Sequence, residues 1–406
     1  MYLTEADPSG TRLPVLLLTL VLLVFSWSEA AAAKESIGVS EPQVWLLSYG
    51  PGEIYWQRFG HNAIWVRDET LGLDHVFNFG FFDFAQERFF LRFLQGRMLY
   101  FSAARPVQKE FSAYVSENRS IRAQRLSLPA ERKSRLIDFL LAEVRPENRN
   151  YLYDYYLNNC STRVRDALDM ALQGVMSEHF RPLAAHQTFR DHTRRLTQDD
   201  FWLYLGLEIV LGAPVDRQVS RWDEMFIPAE LAAAAADMSD AGRSDQPFVL
   251  EDVMLFESPL SPPAAKPAQR WPGYLGYSIA LLAVIWVLLR TTPAFATSVV
   301  VRSWLGISGL VGLALIFFWL GTDHSVARLN LNLLVFNPLW LVFAFRQVDG
   351  KLAASALLLF SVSALLMPLW PPHQYTLDVL AAFLPLNLAC AWFFWRRAAQ
   401  TPSSAS

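Results

Sequence analysis

Asn158-Asn159-Cys160-Ser161-Thr162 stands directly before Ser161–Leu172, an amphipathic stretch followed by Gly174. Its apolar residues recur at helical spacing, which places Cys160 at or just before a helix N-terminus. A thiol there meets unpaired amide N–H groups and the positive end of the helix dipole, and both favour a thiolate. The same amides can hold an oxyanion. A lone cysteine is more often a small buried apolar residue, but the flanking Asn-Asn and Ser-Thr speak against a core position. The other cysteine of the chain is Cys390, so there is neither a disulfide framework nor a cysteine metal cluster.

Working outward from the thiol, a nucleophile needs a base. His61, His75, His179, His186 and His192 are the choices around it. His61 lies in Arg58-Phe59-Gly60-His61-Asn62-Ala63-Ile64-Trp65-Val66, at the start of a strand and after a glycine that permits close approach. A strand-borne imidazole facing a helix-borne thiol is a papain-type arrangement, although a single histidine is more often structural. The ring needs a third group to orient it. On the neighbouring strand Asn78 and His75 are the options, with Asp74 nearer the turn. The strands are read as Val44–Ser48, Asn62–Arg67 and Asp74–Phe79, the last two forming an antiparallel pair across Asp68 to Gly72. Phe84 to Gly96 and Ala130–Val144 have helical spacing.

The 406 residues suggest two or three domains. The formal net charge of −3 argues against a nucleic-acid partner. Hydrophobic residues make up 53%, charged residues 18%, and mean hydropathy is +0.20, too apolar for a disordered chain. That excess is concentrated. From Trp271 to Trp395 the charges are Arg290, Arg302, Asp323, Arg328, Arg346, Asp349, Lys351 and Asp378. Five spans are read there: Tyr274–Leu289, Val299–Leu320, Leu331–Phe345, Leu352–Trp370 and Leu377–Trp395. The third is short and carries Asn337-Pro338.

With the first span entering from outside, the inner segments hold Arg290, Arg302, Arg346, Lys351, Arg396 and Arg397, and the outer ones only Arg328. The positive-inside rule then puts the N-terminal half outside and the C-terminus inside. Residues 1–33, with an apolar run from Leu13 to Trp27, read as a signal peptide or an uncleaved anchor. Residues 38–238 form an exported globular domain, 239–270 a Pro/Ser/Ala-rich tether, and 271–397 the membrane domain. Phe77 to Phe101 is rich in Phe, with Arg88, Arg92 and Arg97 interspersed, which suits either a membrane interface or an aromatic core stripe beside a solvated basic face. Asp323, His324, Asn330, Asn332, His373 and Asp378 mark the outer ends of the spans, as loop and cap chemistry or as a polar rim for a head group or an amine.

The order of these residues carries a resemblance. Histidine on an early strand, a polar residue on the next strand, then Asn-Cys opening a helix resembles the lecithin:retinol acyltransferase branch of the NlpC-like papain superfamily. More closely, Gly60-His61-Asn62-Ala63, Asp74-His75-Val76-Phe77-Asn78-Phe79-Gly80-Phe81-Phe82-Asp83-Phe84 and Asn159-Cys160-Ser161-Thr162-Arg163 resemble the Lnb-type family of bacterial membrane proteins. So do Thr322-Asp323-His324, Asn330-Leu331-Asn332-Leu333-Leu334 and Asn337-Pro338-Leu339. The resemblance implies an α+β permuted papain-like (NlpC/LRAT-like) periplasmic domain followed by an all-α transmembrane domain of about five helices. It implies a bacterial inner-membrane acyltransferase that moves a fatty acyl chain from a phospholipid, through a Cys160 thioester, to the N-terminal amine of a diacylglyceryl-modified lipoprotein. Cys160 would be nucleophile, His61 base and Asn78 orienting residue. His75 and Asn159 would be supporting groups, as would Asp323 and His324, the last as a second acid/base. No cofactor or metal is called for. The alternatives are a cysteine hydrolase acting on a peptide, amide or lipid ester, and a catalytically silent membrane scaffold.

Overall fold

The computed structural model describes residues 41–238 and 247–400; the expected signal or anchor at 1–33 and the start of the tether lie outside these. The exported half is built on a sheet of seven antiparallel strands: β1 (Gln43–Tyr49), β2 (His61–Asp68), β3 (Leu73–Phe81), β4 (Leu99–Pro106), β5 (Ile121–Leu126), β6 (Asn150–Leu152) and β7 (Val249–Phe256). Their spatial order is β6-β4-β3-β2-β1-β5-β7. Its helices are α1 (Phe89–Gln95), α2 (Val107–Ser116), α3 (Ala130–Glu143), α4 (Cys160–Ala171), α5 (Val175–Phe180), α6 (Phe189–Thr197), α7 (Phe201–Val210), α8 (Arg221–Glu224) and α9 (Pro228–Asp237).

Strand alternation sorts the side chains. Val44, Leu46, Ile64, Val66, Phe77 and Phe79 face α3, α4 and α9 in one core. Trp45, Leu47, Tyr49, Ala63 and Val76 face α2 in another. Because period-2 alternation sends neighbours to opposite faces, the pairing of Ala63 with Asn78 puts Asn78 and His61 on the α2 face. His75 shares the opposite face with Phe77 and Phe79.

Two sequence expectations are corrected. The stretch Phe84 to Gly96 is helical only over α1, because Asp83 to Gln86 forms a turn in which the Asp83 carboxylate accepts from the Ala85 amide at 2.8 Å. Val249–Phe256, read as part of the tether, is the edge strand β7. Its acidic residues depress the apolar signal, yet they are what fastens it: Asp252 takes two bonds from Arg122, at 2.8 and 2.6 Å, and Glu251 takes one from Arg125 at 3.2 Å.

The second half contains α10 (Trp271–Leu289), α11 (Ala294–Leu320), α12 (Leu339–Phe345), α13 (Gly350–Leu366) and α14 (Leu377–Gln400). Among the described residues, four helices are long and apolar enough to cross a membrane: α10, α11, α13 and α14. The expected third span, Leu331–Phe345, is instead a broken segment. A short 3₁₀ turn, Leu331–Leu334, precedes Asn337-Pro338, and α12 has only seven residues. It still runs the chain back alongside α11: Phe336 lies against Gly312, Leu341 against Gly309, and Arg302 donates to Ala344 O at 2.8 Å. A Cβ on Gly312 would sit 2.2 Å from Phe336 O, so only glycine permits this approach.

The outer end of the broken segment is completed by the exported half. Asn330 Nδ2 donates to the carbonyls of Ile209 and Val210, both at 2.9 Å, and Asn332 Nδ2 to Glu208 O at 2.8 Å. These are carbonyls at the C-terminus of α7, which that helix cannot satisfy itself. Asp378, at the start of α14, is fully buried beside Arg194 Nη2 (3.3 Å) and accepts from Tyr204 OH (2.5 Å). Arg190, also buried, pairs with Asp216 at 2.8 Å and Glu208 at 3.4 Å. Asn330, Asn332 and Asp378 are therefore joints between the halves, not an open rim.

Candidate active site

Cys160 is the first residue of α4, and the helix start is held from three directions. Asn159 is the N-cap: its Oδ1 accepts from the Thr162 amide at 2.9 Å while its own amide donates to Thr162 Oγ1 at 2.8 Å. This reciprocal capping satisfies two helix-end donors. Asn159 Nδ2 donates to Tyr155 O and Phe226 O, both at 3.0 Å. Ser161 Oγ lies 2.7 Å from Asn62 Oδ1 and 2.6 Å from Met225 O, tying the helix to β2. Asn159 thus supports the site by fixing the helix, with its amide group fully engaged.

The sulfur faces amides rather than charges. The backbone N–H groups of Asn62, Ser161 and Cys160 itself favour a negative charge on it, as does the Arg119 guanidinium. Burial opposes them and prevails, pushing the thiol above its ordinary value. The expectation of a preformed thiolate at the helix terminus is corrected on this point, because desolvation outweighs the helix end. Gly80, at φ +99°, lies beneath: a Cβ there would meet Cys160 Cβ at 3.3 Å.

His61 opens β2, next to the Asn62 amide that reaches the sulfur. Its Nε2 lies 2.9 Å from Asn78 Oδ1. A carbonyl oxygen only accepts, so Nε2 carries the proton and Nδ1 keeps a lone pair. Burial pushes the imidazole down to about 4; the Asn78 bond offsets this in part, and Arg119 adds to the depression. The ring is therefore neutral at pH 7. Tyr49 stacks on it at 5.8 Å, and Tyr114, stacked on Tyr49 at 3.6 Å, lies 6.3 Å away.

The structure therefore joins His61 to Asn78, sets Asn159 as the cap before Cys160, and links the two pairs through the Ser161–Asn62 bond, and it leaves other candidates elsewhere. His75 points to the opposite face of the sheet from Asn78. Asp323 pairs with Arg97 at 2.6 Å, and His324 Nε2 bonds Phe93 O at 3.0 Å; both engage α1. Two groups escaped the sequence reading. Arg119 bonds Gly50 O at 2.9 Å and is 4% exposed, and its charge acts on both the thiol and the imidazole. Glu110 of α2, fully buried, pairs with Arg105 at 3.2 Å. Burial raises its pKa, while Arg105, Asn78 and Tyr49 oppose that rise. Nothing in the local sequence distinguishes it from an exposed helix glutamate.

Residues 29–198 match a family model described as the Lnb N-terminal periplasmic domain, and residues 271–401 match one described as the Lnb transmembrane domain. The chain belongs to the Lnb-type family. In this Lnb-type protein the sheet domain that carries Cys160 is the periplasmic part, and α10 to α14 belong to the membrane part. No curated protein and no solved structure matches the chain.

The neutral pair has a measurable consequence. Alkylation of Cys160 by iodoacetamide in this Lnb-type protein is expected to rise about tenfold per pH unit from pH 6 to 9, following the small thiolate fraction. A rate that is level between pH 5 and 8 would instead show a standing thiolate–imidazolium pair.

Proposed function

We propose that this Lnb-type protein is a thiol acyltransferase at the outer face of the bacterial inner membrane, with a permuted papain-like periplasmic domain. Its substrates are a phospholipid acyl donor and the N-terminal amine of a diacylglyceryl-modified lipoprotein. The observation that carries this reading is a thiol at a helix start that is tied through Ser161 and Asn62 to the strand carrying a neutral, Asn78-bonded imidazole, in a domain bonded to the outer ends of membrane helices.

The chemistry follows from these groups. His61 Nδ1 takes the Cys160 proton as the sulfur attacks the donor's ester carbonyl. The carbonyl oxygen becomes an oxyanion, stabilised by amides of the kind that already face the sulfur. Collapse breaks the ester C–O bond. The lysophospholipid oxygen leaves with the proton from His61, and the acyl chain remains on Cys160 as a thioester. The lipoprotein amine then attacks the thioester, His61 takes its proton, and collapse expels the sulfur, which is reprotonated. One ester is exchanged for one amide, without a cofactor. Asn78 keeps Nδ1, not Nε2, as the proton acceptor throughout.

The test is mass spectrometry of a lipoprotein's N-terminal peptide, after co-expression in cells lacking other N-acylation. The peptide is expected to gain one acyl chain. His61→Ala should slow that gain by a factor on the order of 10² or more, the usual scale for a general base. Asn78→Ala should cost less, because it removes orientation alone. An unmodified peptide accompanied by free fatty acid and lysophospholipid would instead assign the protein as a lipid hydrolase.

A further inference from the structure

Helix α1, Phe-Phe-Leu-Arg-Phe-Leu-Gln, is fixed at the outer ends of the spans by three bonds. The Asp323 amide donates to Gln95 O at 2.8 Å, His324 bonds Phe93 O at 3.0 Å, and Arg97 Nε donates to Asp323 at 2.6 Å. Asp323 and His324 come just after Leu320, the exposed last residue of α11. With the periplasmic domain outside, α1 therefore lies at the level where hydrocarbon gives way to head groups. Phe90 is 79% exposed there, and Leu91, Phe93 and Leu94 are exposed beside it.

Along this helix and at its two ends Arg88, Leu91, Arg92, Gln95 and Arg97 line an open hollow of about 330 Å³. Arg88, the N-cap residue, and Arg92, on the helix, both line this hollow. Arg97 is paired with Asp323, and among the described residues Arg88 has only the neighbouring, exposed Glu87 at 3.4 Å. Arg92 has no acidic partner among the described residues. Guanidinium groups at a bilayer surface, flanked by exposed aromatic side chains, match a phosphodiester with acyl chains attached. From the same helix a line of rings leads inward. Phe89 lies 6.3 Å from Phe82, Phe82 lies 5.3 Å from Tyr100, and Tyr100 stacks on Tyr153 at 4.1 Å. Burial raises the phenol of Tyr100 to about 12, and a thiolate on Cys160 adds to that rise. Tyr153 is raised by the same two causes; Tyr100 also pairs with Tyr151 across the sheet, and a Cβ on Gly80 would meet both Cys160 Cβ, at 3.3 Å, and Tyr151 Oη, at 3.9 Å, so the line ends near Cys160.

We propose that Arg88, Arg92 and Arg97 seat the phosphate of a membrane phospholipid, whose acyl ester then lies along the aromatic line toward Cys160. The seat deepens the acyl-donor reading and rests on it for its role, but binding can be measured without turnover. The full chain in detergent is examined by native mass spectrometry with dimyristoylphosphatidylethanolamine, with dimyristoylglycerol, and with inorganic phosphate as competitor. The wild type and Cys160→Ala are expected to retain the phospholipid and not the diacylglycerol. The double variant Arg88→Ala/Arg92→Ala should lower retention about tenfold or more, the scale of a single charge-assisted bond, and Arg88→Lys/Arg92→Lys should recover part of it. Arg88 is exposed and Arg92 half-buried, and the lysine pair, which keeps the charges, serves as the control for folding. Unchanged retention in the double variant, or equal retention of diacylglycerol, would overturn the seat. Displacement of the lipid by millimolar phosphate would overturn it as a lipid site and leave a free-anion site. Arginine-dependent retention without acyl transfer to a lipoprotein would uphold the seat and remove the acyltransferase reading instead.

Discussion

Cys160→Ala is expected to leave a folded, membrane-inserted protein whose acyl transfer falls by a factor on the order of 10⁴ or more, the scale seen when a covalent nucleophile is removed. The fold has little to lose from the change. The sulfur contributes no cap to α4, because Asn159 and Thr162 cap it reciprocally and Ser161 binds it to Asn62. Alanine is also the best helix former. The chemistry has no substitute, since Cys390 is buried among the membrane helices. A second measurement follows the acyl group itself. Wild-type protein given phospholipid but no amine should accumulate a thioester, so iodoacetamide labelling of Cys160 falls and hydroxylamine restores it. Transfer at the wild-type rate by Cys160→Ala would remove the thioester mechanism. Labelling indifferent to lipid and hydroxylamine would favour a binding scaffold.

Asp378→Ala is expected to be the most destabilising single change at the junction of the two halves. Its carboxylate is fully buried, accepts from Tyr204 OH at 2.5 Å and Tyr375 OH at 3.3 Å, and offsets Arg194 at 3.3 Å. Removing one partner of a buried pair leaves the other charge uncompensated, at a cost of about 3–5 kcal/mol. Against a total stability of roughly 5–15 kcal/mol for an ordinary domain, that is a large share. Thermal unfolding in detergent should show a clearly lowered transition, and Asp378→Asn, which keeps one accepting oxygen for one of the two phenols, should lie between. A transition unchanged in Asp378→Ala would show that Arg194 finds sufficient compensation in Glu208, 3.9 Å away.

The parts of this protein that were legible in its sequence are those whose information is local. The strands β1, β2 and β3 are short apolar runs rich in β-branched and aromatic residues and are placed within two residues, and α3 and α4 are set by a proline and by an Asn-Cys-Ser-Thr start. That pattern also put His61 and Asn78 on adjacent strands, although it left His75 open until the register of Ala63 with Asn78 separated the two faces. What stayed hidden depends on partners distant in the chain. β7 is acidic and looks like tether until Arg122 and Arg125 stand opposite it. The segment read as a third span proves to be broken, its polar start held by α7. The thiol's pKa follows burial, which helix-end reasoning alone does not supply. Glu110 and Arg119 are single charged residues whose importance comes only from what the fold sets beside them.

The junction also bears on how such a protein can be taken apart. Asn330 and Asn332 satisfy α7, and Arg194 rests on Asp378. Cutting the chain after the sheet domain would therefore bare carbonyls and guanidinium groups that no loop is available to cover. Although the halves are separated in the chain by a Pro/Ser/Ala-rich stretch, they are not modular. A soluble fragment ending before α10 is expected to present a damaged surface rather than a smaller intact domain, and a graft of the sheet domain onto foreign membrane helices would have to restore the same bonds. For engineering, the unit to move is the sheet domain together with its own spans.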